Sequence, residues 1–238
     1  MYKIIRMVKR RNDLTLAQFK DYWLGQHALI ARRALERGLI RKAVASVSTG
    51  EVALGAKEPP FDGMAALYFS TLEDIRAAMS GQLWSELTAD AGSFVDPGAA
   101  VLRVVCDEHL MSQKEGAEQA IRRSGQLKII RTVYRRRDLS HAQFKDYWLR
   151  NHSALEDKVI ATSGVQRIVA TFAVPDAGRD ADFDGMVELY FDSMDDIRTM
   201  FAGPVPQMMR ADEENFVQMD APAVRLIAEE YLIGETTD

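Results

Sequence analysis

Leu14–His27 reads "LTLAQFKDYWLGQH", and Leu139–His152 reads "LSHAQFKDYWLRNH". From Leu14 to Leu24, nine of eleven positions match Leu139–Leu149. Working outward, "KIIRMVKRRNDL" from Lys3 matches "KIIRTVYRRRDL" from Lys128 at an offset of 125. The offset falls to 122 where "FDGMAALYF" from Phe61 meets "FDGMVELYF" from Phe183, so the second copy lacks three residues between His152 and Phe183. The chain is therefore one unit written twice, over 1–110 and 126–234, with a polar, glycine-containing linker over 111–125. Two copies of this size are too few and too long for a solenoid.

Each unit gives the same order of elements. "YKIIRMVKR" alternates like a strand. Thr15 and Ser140 stand at N-cap positions before a helical pattern that runs, in the first copy, from Ala17 to about Glu36. "IRKAVASVST" and "GMAALYFS" are strands, "STLEDIRAAMSG" opens on a capping box and stops at Gly81, "QLWSELTADAGSF" is a further helix, and "AAVLRVVCDEHL" closes the unit. The order β-α-β-β-α-(α)-β is that of an α+β, ferredoxin-like split βαβ unit. Helices on one face of a sheet leave the other face bare. The expected architecture is thus two such units packed sheet to sheet as an intramolecular pseudo-dimer. A monomer of that form needs no partner, and a homodimer stays open.

The totals fit this picture. Of 238 residues, 47% are hydrophobic and 27% charged, enough to bury a core. A formal net charge of −5 gives no reason to expect nucleic acid or an anionic membrane as partner. Cys106 is the single cysteine, which excludes an intrachain disulfide and a multi-cysteine metal site. The opening "MYKIIRMVKRR" reads as a strand without an apolar signal core, and a cytoplasmic location is expected.

With Phe19 at zero on a 100° wheel, Tyr22, Trp23, Gln26 and His27 share its face, as Tyr147, Trp148, Asn151 and His152 share that of Phe144. Each histidine sits at the far end of an apolar stripe, beside an amide, facing the sheet. Two readings stand together: a core histidine needing one hydrogen bond, or a proton-transfer group with a near-neutral pKa.

The pattern Arg10-(x3)-Leu14-Thr15-(x3)-Phe19-(x3)-Trp23-(x3)-His27, its partner from Arg135 to His152, and the endings Asp90-(x3)-Phe94-Val95 and Asp212-(x3)-Phe216-Val217 resemble the signature of EthD domains. The resemblance spans nearly the whole chain. It implies the dimeric α+β barrel fold, pockets that carry His27 and His152, and relatives among isomerases, cyclases, dehydratases, decarboxylases and proteins of aromatic catabolism.

The copies differ at the third strand, where Ala66 corresponds to Glu188. A carboxylate on an apolar strand needs a partner, and Arg131 on the neighbouring strand is the expected one. The alternative is that Glu188 acts with His152, which would make the second unit the more active one. Arg6 and Arg103, and likewise Arg131 and Arg225, meet on adjacent strands and call for an anion, expected to come from the recurring acids Asp62, Asp184, Glu108 and Glu230. Tyr68, Tyr134 and Tyr190, with Trp23, Trp148, Asn151 and Arg131, are the candidate ligand contacts. His109 and His141 lack counterparts and read as rim residues.

There is no P-loop, no G-x-G-x-x-G, no H-E-x-x-H and no G-x-S-x-G. No metal and no cofactor are expected, although a heme ligated by His152 is conceivable in such a barrel. The functional expectation is a lyase or isomerase using His152, Glu188 and His27 on a small aromatic or polyketide-like compound. A non-catalytic protein that binds a hydrophobic ligand, and a cofactor-free oxygenase, are the alternatives.

Overall fold

The computed structural model describes residues 1–51, 59–118, 125–175 and 181–236. The first half contains β1 (Tyr2–Val8), α1 (Leu16–Tyr22), α2 (Ala28–Glu36), β2 (Lys42–Ser48), β3 (Gly63–Phe69), α3 (Leu72–Ser80), α4 (Gln82–Ala91) and β4 (Leu102–Gln113). The second contains β5 (Gln126–Val133), α5 (His141–Tyr147), α6 (Ser153–Thr162), β6 (Val165–Ala173), β7 (Gly185–Phe191), α7 (Met194–Ala202), α8 (Val205–Glu213) and β8 (Arg225–Glu235). β4 runs on to Gln113, into the stretch expected as linker, and residues 119–124 of that stretch lie outside the described residues. Among the described residues, no helix is long and apolar enough to cross a membrane.

The eight strands close into one antiparallel barrel in the order β1-β3-β2-β8-β5-β7-β6-β4. The mixed α and β barrel expected from the family resemblance is present, and its sheets meet at their edges as one closed surface. Two open sheets would each leave two edges with unpaired backbone groups. Pairing β2 with β8 and β4 with β6 consumes all of those edges.

Strand alternation sorts every side chain to the lumen or to the helices. Ile5, Met7, Met64, Cys106, Ile130 and Met186 pack inside the barrel. Ile4 packs outside it, beneath the helices, with Ile30 and Phe69. Also inside lies a buried belt of charge. Lys3 Nζ donates to Glu108 (2.6 Å) and Glu188 (2.9 Å), while Lys128 Nζ donates to Glu188 and to Glu230 (2.6 Å). Tyr68 and Tyr190 donate their hydroxyls to Glu108 (2.8 Å) and Glu230 (2.7 Å).

Outside, the repeated helix is anchored as its sequence implies. Thr15 and Ser140 cap α1 and α5 in full capping boxes with Gln18 and Gln143. Phe19 and Trp23, and Phe144 and Trp148, are buried against the sheet. The glycines of the two "FDG" triplets make that approach possible. A Cβ at Gly63 would run into the Trp23 ring, and one at Gly185 would lie 2.9 Å from Phe144.

Candidate functional site

The long helix of each half is not uniformly α. Between α1 and α2, Trp23–His27 forms a π turn, and Trp148–His152 forms its counterpart between α5 and α6. A π turn inserts a residue into the helical phase, and such turns occur often at functional sites. The shift turns the amide neighbours outward: Gln26 and Asn151 are exposed, contrary to the wheel that placed them on the shared face. It leaves His27 mostly buried and His152 only 2% exposed.

Both histidines are held alike. His27 Nδ1 lies 2.6 Å from Asp90 Oδ2, and His152 Nδ1 lies 2.6 Å from Asp212 Oδ2. Tyr22 and Tyr147 each donate at 2.9 Å to the other oxygen of the same carboxylate. Phe94 and Phe216 pack their rings against the two imidazoles at 4.8 and 5.0 Å between centroids. The D-(x3)-F endings thus supply the carboxylate and the ring that fix each imidazole. With Nδ1 hydrogen-bonded to a carboxylate, the neutral tautomer carries its proton there, and Nε2 keeps the free lone pair.

The cavities beside these histidines differ. The first, of about 60 Å³, is lined by Arg6, Trp23, His27, Ala31, Trp84 and Thr88 among others. The second, of about 350 Å³, is lined by Arg131, Trp148, His152, Glu156, Met209 and Glu213 among others. Ligand sites usually start at about 300 Å³, so only the second has room for an organic molecule of ordinary size.

Two carboxyls separate the second cavity from the first. Glu156 stands one turn beyond His152, where the first copy has Ala31, and it is fully buried. Its Oε1 accepts from Trp148 Nε1 at 3.0 Å, and its Oε2 has no hydrogen-bond partner among the described residues. Burial without a cation pushes its carboxyl up to about 7, against a smaller opposing effect of the Trp148 hydrogen bond. Glu213 stands where the first copy has Ala91 and binds Arg131 at 2.5 Å.

Glu188 is elsewhere, and both expectations for it are corrected. Glu188, Tyr190 and Tyr68 point into the barrel, whereas His152 lies outside the sheet under the helices. Glu188 pairs with Lys3 and Lys128 rather than Arg131. Burial alone would raise its pKa, but the two ammonium groups hold it below the ordinary carboxylate range. Tyr134 donates to the Asp182 carbonyl at 2.7 Å and packs at the barrel's apolar end, away from His152. Of the expected contacts, Trp23 lines the first cavity, and Trp148 and Arg131 line the second.

The arginine pairs meet as expected. Arg6 is in register with Arg103, and Arg131 with Arg225. Their anions are not the expected ones. Asp62 and Asp184 bind Arg10 and Arg135, and Glu108 and Glu230 bind the lumenal lysines. Glu213 serves Arg131, a role the sequence reading missed along with Glu156. Both could have been found by asking where a carboxylate in one copy faces an alanine in the other.

A family model described as EthD domain matches residues 11–98 and 136–220, more than half of the chain. No curated protein matches the sequence. Similar solved structures include an anthrone oxidase-like protein, 8% identical with a TM-score of 0.62, covering 99% of this chain and 94% of that one. A heme-binding protein from Thermus thermophilus is 12% identical with a TM-score of 0.55, covering 96% and 90%. Chlorite dismutase from Candidatus Nitrospira defluvii is 12% identical with a TM-score of 0.51, covering 98% and 91%. At these identities the likeness is one of fold.

Proposed function

The chain belongs to the EthD-domain family, and from that premise we propose that its second half carries an acid–base site for a small oxygenated, largely apolar compound of aromatic or polyketide-like type. The reaction is a lyase or isomerase step such as decarboxylation, dehydration, retro-aldol cleavage or isomerisation. The observation that carries this reading is Glu156, a fully buried carboxyl with one unpartnered oxygen, in the same cavity as His152.

The division of labour follows from the two environments. Nε2 of His152, whose Nδ1 is turned to Asp212, takes a proton from a substrate carbon or hydroxyl. Glu156, whose burial lets it keep its proton up to about pH 7, gives that proton to the substrate oxygen that gains electron density. Return of the first proton to another carbon, with the substrate O–H proton going back to Glu156, completes an isomerisation; its passage to a departing hydroxyl, which leaves as water, with the same return to Glu156, completes a dehydration. Trp148 and Met209 supply apolar wall, while Arg131 and Glu213 neutralise each other at the cavity's edge.

This reading also takes the two halves as ferredoxin-like units, 1–110 and 126–234, forming an intramolecular pseudo-dimer in the cytoplasm. The second unit is the active one.

The test is turnover of a panel of phenolic, β-keto acid and lactone substrates by wild type, H152A, E156Q and H27A, with oxygen consumption followed in parallel. H152A and E156Q lose most turnover and H27A little. In wild type the rate falls as pH rises through about 7, where Glu156 gives up its proton, and E156Q removes that limb. Equal losses in H27A and H152A would sink the one-sided site. Retained ligand affinity with no turnover anywhere would leave a binding protein, and oxygen uptake would make it an oxygenase.

A further inference from the structure

The smaller, first-half cavity has its own unsatisfied chemistry, distinct from the site just proposed. Arg6 and Arg103 lie directly opposite each other on β1 and β4. Residues in direct register share a face of the sheet, and like charges so placed repel. Arg6 lines the cavity with His27 and Trp84, and the Arg103 guanidinium lies over the Trp84 ring, 5.7 Å from its centroid. Among the described residues no carboxylate forms an ion pair with either arginine. Asp90, the acid nearest in the motif, is committed to His27 and Tyr22. Burial, and then Arg103, lowers the pKa of Arg6, as expected of a cation lacking its counter-charge.

The duplicate copy shows what such a pair takes. Arg131 and Arg225 meet in the same register, and there Glu213 reaches from the last residue of α8 to bind Arg131 at 2.5 Å. The corresponding last residue of α4 is Ala91, with the same backbone around it: Val95 N donates to the Ala91 carbonyl as Val217 N does to that of Glu213. The first half thus keeps the cations, and a buried methyl stands where the second has its carboxylate.

We infer that the cavity between β1 and α4 in the first half is a binding site for a small carboxylate, held by Arg6 in the manner in which Glu213 is held by Arg131, with the Arg103 guanidinium adding its charge from the far side of Trp84. Its volume of about 60 Å³ limits the ligand to a few heavy atoms, the size of acetate. Planar guanidinium groups favour a carboxylate over a spherical ion, because they can donate two parallel hydrogen bonds to it. Trp84 and Ala31 leave apolar wall for a methyl group.

The probe is sodium acetate, titrated into the full chain at constant ionic strength with sodium chloride as balance, read by the arginine Nε–H and His27 ring signals in NMR. Wild type shows a saturable shift of Arg6, Arg103 and His27 that chloride alone does not produce. A91E, which copies the second half's carboxylate, abolishes the acetate response and raises the Tm. R6Q binds acetate roughly tenfold more weakly or worse, the scale of one lost charge-assisted hydrogen bond, and stands in should A91E not fold. E156Q, at the other cavity, leaves the acetate titration unchanged. No saturation with acetate, equal response to chloride, or an undiminished acetate response in a folded A91E or R6Q would overturn the assignment.

Discussion

The two outward cavities share a frame and differ in what fills it. Each has a π turn ending in histidine, a carboxylate on Nδ1 that also accepts from a tyrosine, and a phenylalanine against the ring. Yet at three buried places the first half has alanine and the second glutamate: Ala31 and Glu156, Ala66 and Glu188, Ala91 and Glu213. The three glutamates met different fates. Glu188 lies between two lysines and stays ionised, Glu213 is paired with an arginine, and Glu156 has no cation partner among the described residues. A buried carboxyl with a counter-ion is explained by structure. The one without is the group to suspect of chemistry.

The sharpest way to break this comparison is kinetic. Loss of Glu156 or His152 is expected to cost about 10²–10⁴ in turnover, the usual worth of positioned acid–base help, whereas loss of His27 costs little. Next in size is the barrel's interior. E188A leaves Lys3 and Lys128 short of a shared carboxylate, and urea unfolding should show a loss of about 3–5 kcal/mol. A null effect there would mean that Glu108 and Glu230 suffice.

Glu156 makes a third, pH-dependent prediction. Its carboxyl titrates near 4.5 in the unfolded chain and about 7 in the native one. The unfolded state therefore releases its proton first, and wild-type stability falls as pH rises between those values. The span corresponds to about 3 kcal/mol. E156Q, which cannot ionise, should gain that much on wild type from pH 4.5 to 8 in chemical denaturation, and parallel pH profiles would remove the case for a neutral carboxyl. Smallest is His27, whose pKa is lowered by burial, with Arg6 adding to it and Asp90 opposing. Because the native state resists protonating it, stability should decline as pH falls through about 6.5, and H27Q should flatten that decline.

The sequence made much of the frame legible. Repeats, capping boxes and strand alternation are local signals, and they located the helices, strands and histidines. Two things were beyond local reading. Which face of β7 becomes lumen depends on how the sheets close, so Glu188 and Tyr190 were assigned to a pocket on the wrong side. The π turn changed the phase of the helix, which removed Asn151 from the site. Glu156 was within reach, four residues after His152 and therefore on its face. It passed for an ordinary charged helix residue because nothing in its neighbours hints at complete burial.

Glu188 also bears on how such a barrel can change over time. It sits where the halves meet, one carboxylate serving Lys3 from the first half and Lys128 from the second. In a barrel assembled from two identical chains, any residue there would arrive in duplicate, and two glutamates would compete for the same two ammonium groups. A single covalent chain escapes that constraint. It can mutate one side of its own interface alone, so that specialisation of one half requires no tolerance from the other.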